Sequence, residues 1–326
     1  MPRPSLRALL ALEAVLLLAL AEGFLAWKEP DLRLLESLLY YQGGHLELYR
    51  PSGDPELLYE LRPGASGTFN GVKISVNALG FRGAPAAAQK ARGKFRIICF
   101  GTSNTFGPRA GDAETYPARL EALLNRRAPG RYEVWNAGLS AYTVRQTLAA
   151  ARKALERYSP DLLLLQLNNV GRRPYLYGVP PGGRLLDDPS LFRENLRYVW
   201  PEKLDFLRRW RLLRTVLIWV NLRAARSDPQ GYEHALNGRL EPVSAAALGD
   251  FLARTSGRVP VMLLVGIGGE WLARVPEADA VPKADLLGKI AGKTDPEYRE
   301  VHPKPYVYEW YAAEIAGALV RTGLPR

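Results

Sequence analysis

Residues 94–107, KFRIICFGTSNTFG, carry a short apolar run directly into a small, polar, glycine-bounded turn. The run is too brief for a buried helix and is apolar at successive positions, so it reads as a strand covered on both faces. Similar runs follow at 132–138 (YEVWNAG), 161–167 (DLLLLQL) and 259–268 (VPVMLLVGIG). Between the first three lie stretches with helical apolar spacing, ARLEALLNRR at 118–127 and VRQTLAAARKALERY at 144–158. Apolar strands alternating with helices define an α/β class with a parallel sheet, its crossovers right-handed and its helices on both faces.

The composition is that of a globular protein: 326 residues, 47% hydrophobic and 24% charged, enough for a full core. The net charge of +11 raises the question of nucleic acid. The Lys and Arg residues are dispersed, however, with no zinc spacing, aromatic RNA-binding signature or long basic run, so no nucleic-acid partner is expected. An anionic membrane surface or acidic glycan fits the charge better. Cys99 is the sole cysteine, which excludes an intramolecular disulfide and a Cys-rich metal site. Neither a metal nor a cofactor is expected.

The N-terminus holds ALLALEAVLLLALAEGFLAW at 8–27, preceded by Arg3 and Arg7 and closed by Trp27 and Lys28. Its length matches a bilayer core crossed as a helix. Its apolar residues gain roughly 3–6 kcal/mol on the insertion scale, against roughly 2.5–3.5 for the acidic Glu13. A cleaved signal peptide competes, with ALA at 19–21 as its processing site. The reading adopted is an uncleaved anchor over 1–29, with the bulk of the chain outside the cytoplasm. Residues 30–93 read as a connector: a helix in DLRLLESLLYY (31–41), a hairpin with Asn-Gly at its turn in GTFNGVKISVNALGFRG (67–83), and a linker, APAAAQKARGK (84–94). The main domain then runs over 94–326, with a helical insertion at about 172–245. That insertion contains KLDFLRRWRLLRTVLIWVNLRAAR (203–226), a basic helix too short in its apolar run to span a membrane, read as an insertion with interfacial contact.

In parallel sheets the site lies beyond the carboxyl ends of the strands. Ser103 follows the first strand between Gly101 and Gly107, Gly138 ends the second, and Asn168 and Asn169 follow the third. A serine hydroxyl needs a base to become a nucleophile, and acyl transfer needs donors aimed at the developing oxyanion. The N–H groups of Ser103 and Gly138 and an Asn amide are candidates for those donors. Of the three histidines only His302 lies near the C-terminus, ahead of a helix that closes the domain. Taken singly, each residue has a plainer reading: turn serine, tight-turn glycine, strand-ending asparagines, helix-start histidine. Arg172 and Arg173, just past the third strand, are either solvated charges or holders of an anionic substrate group.

The chain resembles the SGNH hydrolase superfamily, the GDSL-like lipases and esterases, and within it a membrane-anchored bacterial branch. The resemblance rests on an ordered series over most of residues 60–320: VNALGFRG, FGTSNTFG, ETYPARLEALL, NAGLSAYT, PDLLLLQLNN, and HP followed by a helix. It implies a three-layer α/β/α sandwich of flavodoxin-like type. Ser103 would be the nucleophile, Gly138 and Asn169 or Asn168 oxyanion donors, and His302 the general base. Beside these, Thr102, Asn104, Arg172 and Arg173 are candidate substrate contacts. Three departures stand out. Thr102 replaces the usual Asp, LNNV replaces Gly-x-Asn-Asp, and Arg299 stands where the triad acid belongs. An arginine cannot accept the imidazole proton's hydrogen bond, which leaves Asp295, Glu297, Glu300 or a main-chain carbonyl as substitutes. The resemblance implies an extracytoplasmic serine esterase or O-acyltransferase on acylated envelope carbohydrate or lipid, with a multi-spanning acyltransferase as a partner that would also give Glu13 a polar surface. The alternative is a catalytically inactive glycan-binding or assembly subunit of the same fold.

Overall fold

The computed structural model describes residues 5–39, 46–69, 71–171, 196, 199, 200, 202–288 and 302–323. They fall into two compact units, one holding the described residues of 1–40 and 179–233 and the other those of 41–178 and 234–326.

The second unit is built on a five-stranded parallel sheet. Its strands are β5 (Phe95–Gly101), β6 (Tyr132–Gly138), β7 (Leu162–Gln166), β8 (Val261–Val265) and β9 (Lys283–Asp285), in the spatial order β6-β5-β7-β8-β9. Counted from β5 this is 2-1-3-4-5, the flavodoxin-like order. Side chains alternate across it. Ile97, Cys99, Leu162 and Leu164 pack on one face beneath α4 (Tyr116–Arg127) and α8 (Pro305–Arg321). Ile98, Phe100, Leu163 and Leu165 pack on the other beneath α5 (Val144–Tyr158) and α7 (Pro229–Thr255). Both faces being covered is why the central stretches of these strands, 97–100, 162–165 and 261–265, are apolar at successive positions instead of every second one. The fold is therefore α/β, a three-layer sandwich. The chain leaves β5 for one face through α4 and leaves β6 for the other through α5, so the topological switch point lies between β5 and β7.

Two small antiparallel hairpins precede the sheet: β1 (Tyr49–Pro51) with β2 (Tyr59–Leu61), and β3 (Ser66–Phe69) with β4 (Val72–Ser75). Phe69 pairs with Val72 across a two-residue turn in which Gly71 has φ +79°, as the Asn-Gly signal predicts. The segment at 84–94, read as a linker, is held to the domain. Fully buried Arg96 donates to the carbonyls of Ala87 and Ala88 at 2.9 and 2.8 Å and pairs with Glu133 at 2.7 Å.

The first unit contains α1 (Leu6–Lys28), α2 (Pro30–Leu39), a 3₁₀ segment at Glu202–Leu207, and α6 (Arg211–Ser227). The helix α1 is long and apolar enough to cross a membrane or to serve as a signal sequence. Asp31, fully buried, takes Arg214 at 2.8 Å and Arg211 at 3.4 Å. This division departs from the reading of 30–93 as one connector. The helix over 30–39 belongs with α6, while the hairpins belong with the sheet, because Asp31 draws α2 to the α6 arginines and the hairpins reach the site loops. The first unit gathers the described part of 179–233, a narrower span than the insertion expected at 172–245.

Candidate active site

Gly101 ends β5, and the chain turns at Thr102 into α3 (Ser103–Phe106), a single helical turn closed by Gly107 at φ +79°. Ser103 opens this turn, half-buried, and its hydroxyl makes no hydrogen bond among the described residues. The turn lies directly on the end of β6. A Cβ on Gly138 would stand 2.2 Å from the Phe106 nitrogen and 2.6 Å from the Thr105 carbonyl carbon, so only glycine admits this approach.

Two buried polar groups fix the turn. Thr105 donates to the Gln166 side-chain oxygen at 2.9 Å and shares a hydrogen bond with the Tyr116 hydroxyl at 3.1 Å. Arg82, 4% exposed, reaches the carbonyls of Phe106, Gly107 and Ala110 and pairs with Asp112 at 3.0 Å. Burial lowers the Arg82 pKa, and the Asp112 carboxylate opposes that shift. The loop following β6 is held by a second brace from the hairpins. The Tyr59 hydroxyl donates to the Ser140 carbonyl and the Tyr142 hydroxyl to the Tyr59 carbonyl, both at 2.5 Å, with the two rings edge-on at 5.0 Å.

Of the expected donors, Gly138 is engaged locally. Its N–H already donates to the Asn136 side-chain oxygen at 3.0 Å, and its Cα is packed beneath α3. A further candidate N–H lies three residues further on. Ala141, 6% exposed, stands at φ +63°, and its N–H has no acceptor among the described residues. A left-handed alanine is strained and persists only where its surroundings impose it, here the braces on Ser140 and Tyr142. Sequence reading misses it because alanine carries no signal for this conformation.

The asparagines separate. Asn168 donates its amide to the Ile267 carbonyl at 2.7 Å, toward the loop after β8. Asn169 donates to the Tyr142 carbonyl at 2.9 Å and accepts the Val144 N–H on its main-chain oxygen at 3.3 Å, which joins it to the loop carrying Ala141. Its second amide hydrogen is unassigned among the described residues.

His302 lies three residues ahead of α8 and is half-buried; its carbonyl accepts from Arg109 at 3.5 Å, which ties it to the loop leaving α3. Thr102 and Asn104 are buried at 3% and 4% exposure, Thr102 receiving the N–H groups of Thr105 and Phe106 on its carbonyl. Arg172, Arg173, Asp295, Glu297, Arg299 and Glu300 lie outside the described residues. Cys99 is fully buried, and desolvation raises its thiol pKa, which makes it an unreactive core residue.

No family model matches the chain, and no curated protein does. In structure it is similar to a lipolytic protein of the G-D-S-L family from Desulfitobacterium hafniense, at 11% identity and a TM-score of 0.40, over 69% of this chain and 100% of that one. It is similar also to a psychrotrophic esterase from Pseudoalteromonas sp. (12% identity, TM-score 0.41, 71% and 99% covered). A third is an acetylxylan esterase from Geobacillus stearothermophilus (15% identity, TM-score 0.40, 72% and 95% covered).

Proposed function

We propose that the chain is a membrane-anchored serine esterase or O-acyltransferase that works through an acyl-serine at Ser103, on an acylated carbohydrate or lipid outside the cytoplasm. The observation that supports this reading is that Ser103 follows β5 and Asn169 follows β7, the two strands that flank the switch point, with Asn169 bonded to the loop that carries Ala141. In the reaction, the Ser103 oxygen attacks the acyl carbonyl carbon while His302 takes its proton. The carbonyl oxygen, now an oxyanion, is held by the N–H groups of Ala141 and Ser103 and by the Asn169 amide. The leaving alcohol receives the proton from the imidazolium, and water or a second hydroxyl then takes the acyl group from Ser103. In this reading α1 is the anchor, and a multi-spanning acyltransferase is a partner for the transfer reaction.

Arg299 favours a second reading, a binding subunit that retains the fold without turnover, since a carboxylate at that position would stabilise the imidazolium. Fluorophosphonate labelling of the full chain separates the two. Wild type is expected to be labelled at Ser103 and to hydrolyse a short acyl ester, and Ser103→Ala to do neither. An unlabelled, inert wild type replaces the enzyme by the binding subunit.

A further inference from the structure

Among the described residues every strongly exposed large apolar side chain except Val320 lies on α1 or on residues 204–220. Both belong to the first unit, and they are joined. The Glu22 carboxylate, near the C-terminal end of α1, accepts the backbone N–H groups of Arg211 and Leu212 at 2.9 Å each. It thereby satisfies two of the donors that open α6, whose own N-cap residue, Trp210, makes no side-chain bond. The same contact places a negative charge at the positive end of the α6 dipole, which offsets the cost of an acid in an apolar helix.

The helix α6 is apolar on two sides. Ile218, Leu222 and Ala225 are buried, on the face that packs against α2. Leu213, Val216, Trp219 and Val220, at helical spacing on the opposite side, are exposed, and Phe206 and Trp210 continue this surface ahead of the helix. Arg209 and Arg223 are exposed beside it, Arg223 lying 5.7 Å from the centre of the Trp219 ring. Glu22 precedes Lys28, the last residue of α1, by six positions, or about 9 Å along the axis. An amphipathic helix lying in a membrane interface sits roughly 5–10 Å into the boundary between headgroups and acyl chains. The start of α6 is thus fixed at that depth if Trp27 and Lys28 mark the membrane surface.

We infer that the exposed face of α6 lies in the interfacial layer of the bilayer that α1 crosses, with Trp210 and Trp219 at headgroup level and Arg209 and Arg223 toward anionic headgroups. This inference rests on the reading of α1 as an anchor. The test uses the full chain in vesicles of phosphatidylcholine and phosphatidylglycerol. Single variants Val216→Cys, Val220→Cys, Leu17→Cys and Val320→Cys are labelled with an environment-sensitive nitrobenzoxadiazole dye. Buried Cys99 leaves the wild type as an unlabelled blank. The expected result is blue-shifted emission at 216 and 220, lost to spin-labelled lipids with the quencher near the carbonyl and less so to those with it near the chain end. Position 17 should show the reverse preference, and position 320 no quenching. Quenching at 17 with water-like emission at 216 and 220 overturns the inference while the anchor stands, and assigns the surface to a protein partner. Loss of quenching at 17 removes the anchor and the inference with it.

Discussion

Replacing Arg82 by Met removes a guanidinium and leaves a shorter, apolar stem in the same buried space. Four acceptors lose a donor: the carbonyls of Phe106, Gly107 and Ala110, and the Asp112 carboxylate. The loss is unequal among them. Phe106 retains the Asn136 amide at 3.4 Å and Gly107 retains the Ala110 N–H at 3.0 Å, whereas the Ala110 carbonyl is left with no donor among the described residues. Asp112 is 27% exposed and still receives the Ser75 N–H at 3.1 Å, so its charge is partly solvated once unpaired. An orphaned buried carbonyl costs about 1–3 kcal/mol, and breaking a buried ion pair about 3–5 kcal/mol. With these compensations the expected loss is about 3 kcal/mol, at the low end of that range. Urea denaturation measures it directly. Because three of the four bonds hold α3 and the loop that leaves it, fluorophosphonate labelling of Ser103 should fall further than the folded fraction does. Arg82→Lys keeps a charge for Asp112 but lacks the planar fork, and should fall between wild type and Arg82→Met. A Met variant that loses less than about 1 kcal/mol and labels at the wild-type rate would refute the bracing role.

Three further outcomes follow from the same geometry. Gly138→Ala forces a methyl against the α3 backbone, so it should cost about 1–3 kcal/mol or more in urea denaturation and suppress Ser103 labelling; wild-type behaviour in both would place α3 elsewhere. Ala141→Gly relieves a left-handed strain of roughly 1–2 kcal/mol against a backbone entropy cost of roughly 0.5–1 kcal/mol. It should therefore stabilise the protein by up to ~1 kcal/mol and leave Ser103 labelling unchanged, since the N–H remains; a fall in the denaturation midpoint contradicts the strain. Burial raises the phenol pKa of Tyr49 and Tyr311 to about 12, and raises those of Tyr116, Tyr142 and Tyr308 as well. The fold favours the neutral phenol, so this stability is fully present below the unfolded pKa of about 10 and is lost as pH rises through about 12. Tyrosinate absorbance should rise together with unfolding, and titration of these phenols in a folded chain would contradict their burial.

The alternation of β5, α4, β6, α5 and β7 is legible in the sequence because each element's burial pattern is written in its own periodicity. The strand β9 is not: Lys283–Asp285 is three residues long, and only Ala284 is buried. For the same reason Ser103 is recognisable as a strand-end serine, and the two asparagines as a pair. Where each asparagine points required the loops after β6 and β8, since the Asn168 amide goes to the Ile267 carbonyl and the Asn169 amide to the Tyr142 carbonyl.

The sequence by itself determined the class of fold, the apolar helix at the N-terminus and the order in which a serine, a glycine, an asparagine pair and a histidine are met. These follow from local spacing, which a single chain displays without a partner. Tertiary structure decided which backbone groups are unused, because a hydrogen bond is consumed by whatever the fold brings near. Gly138 loses its N–H to Asn136, Arg82 closes on carbonyls 24 to 28 residues away, and Tyr59 reaches Ser140 across 81. Ala141 acquires its left-handed backbone in a loop braced by Tyr59 and Tyr142, residues whose positions along the chain give no sign that they meet.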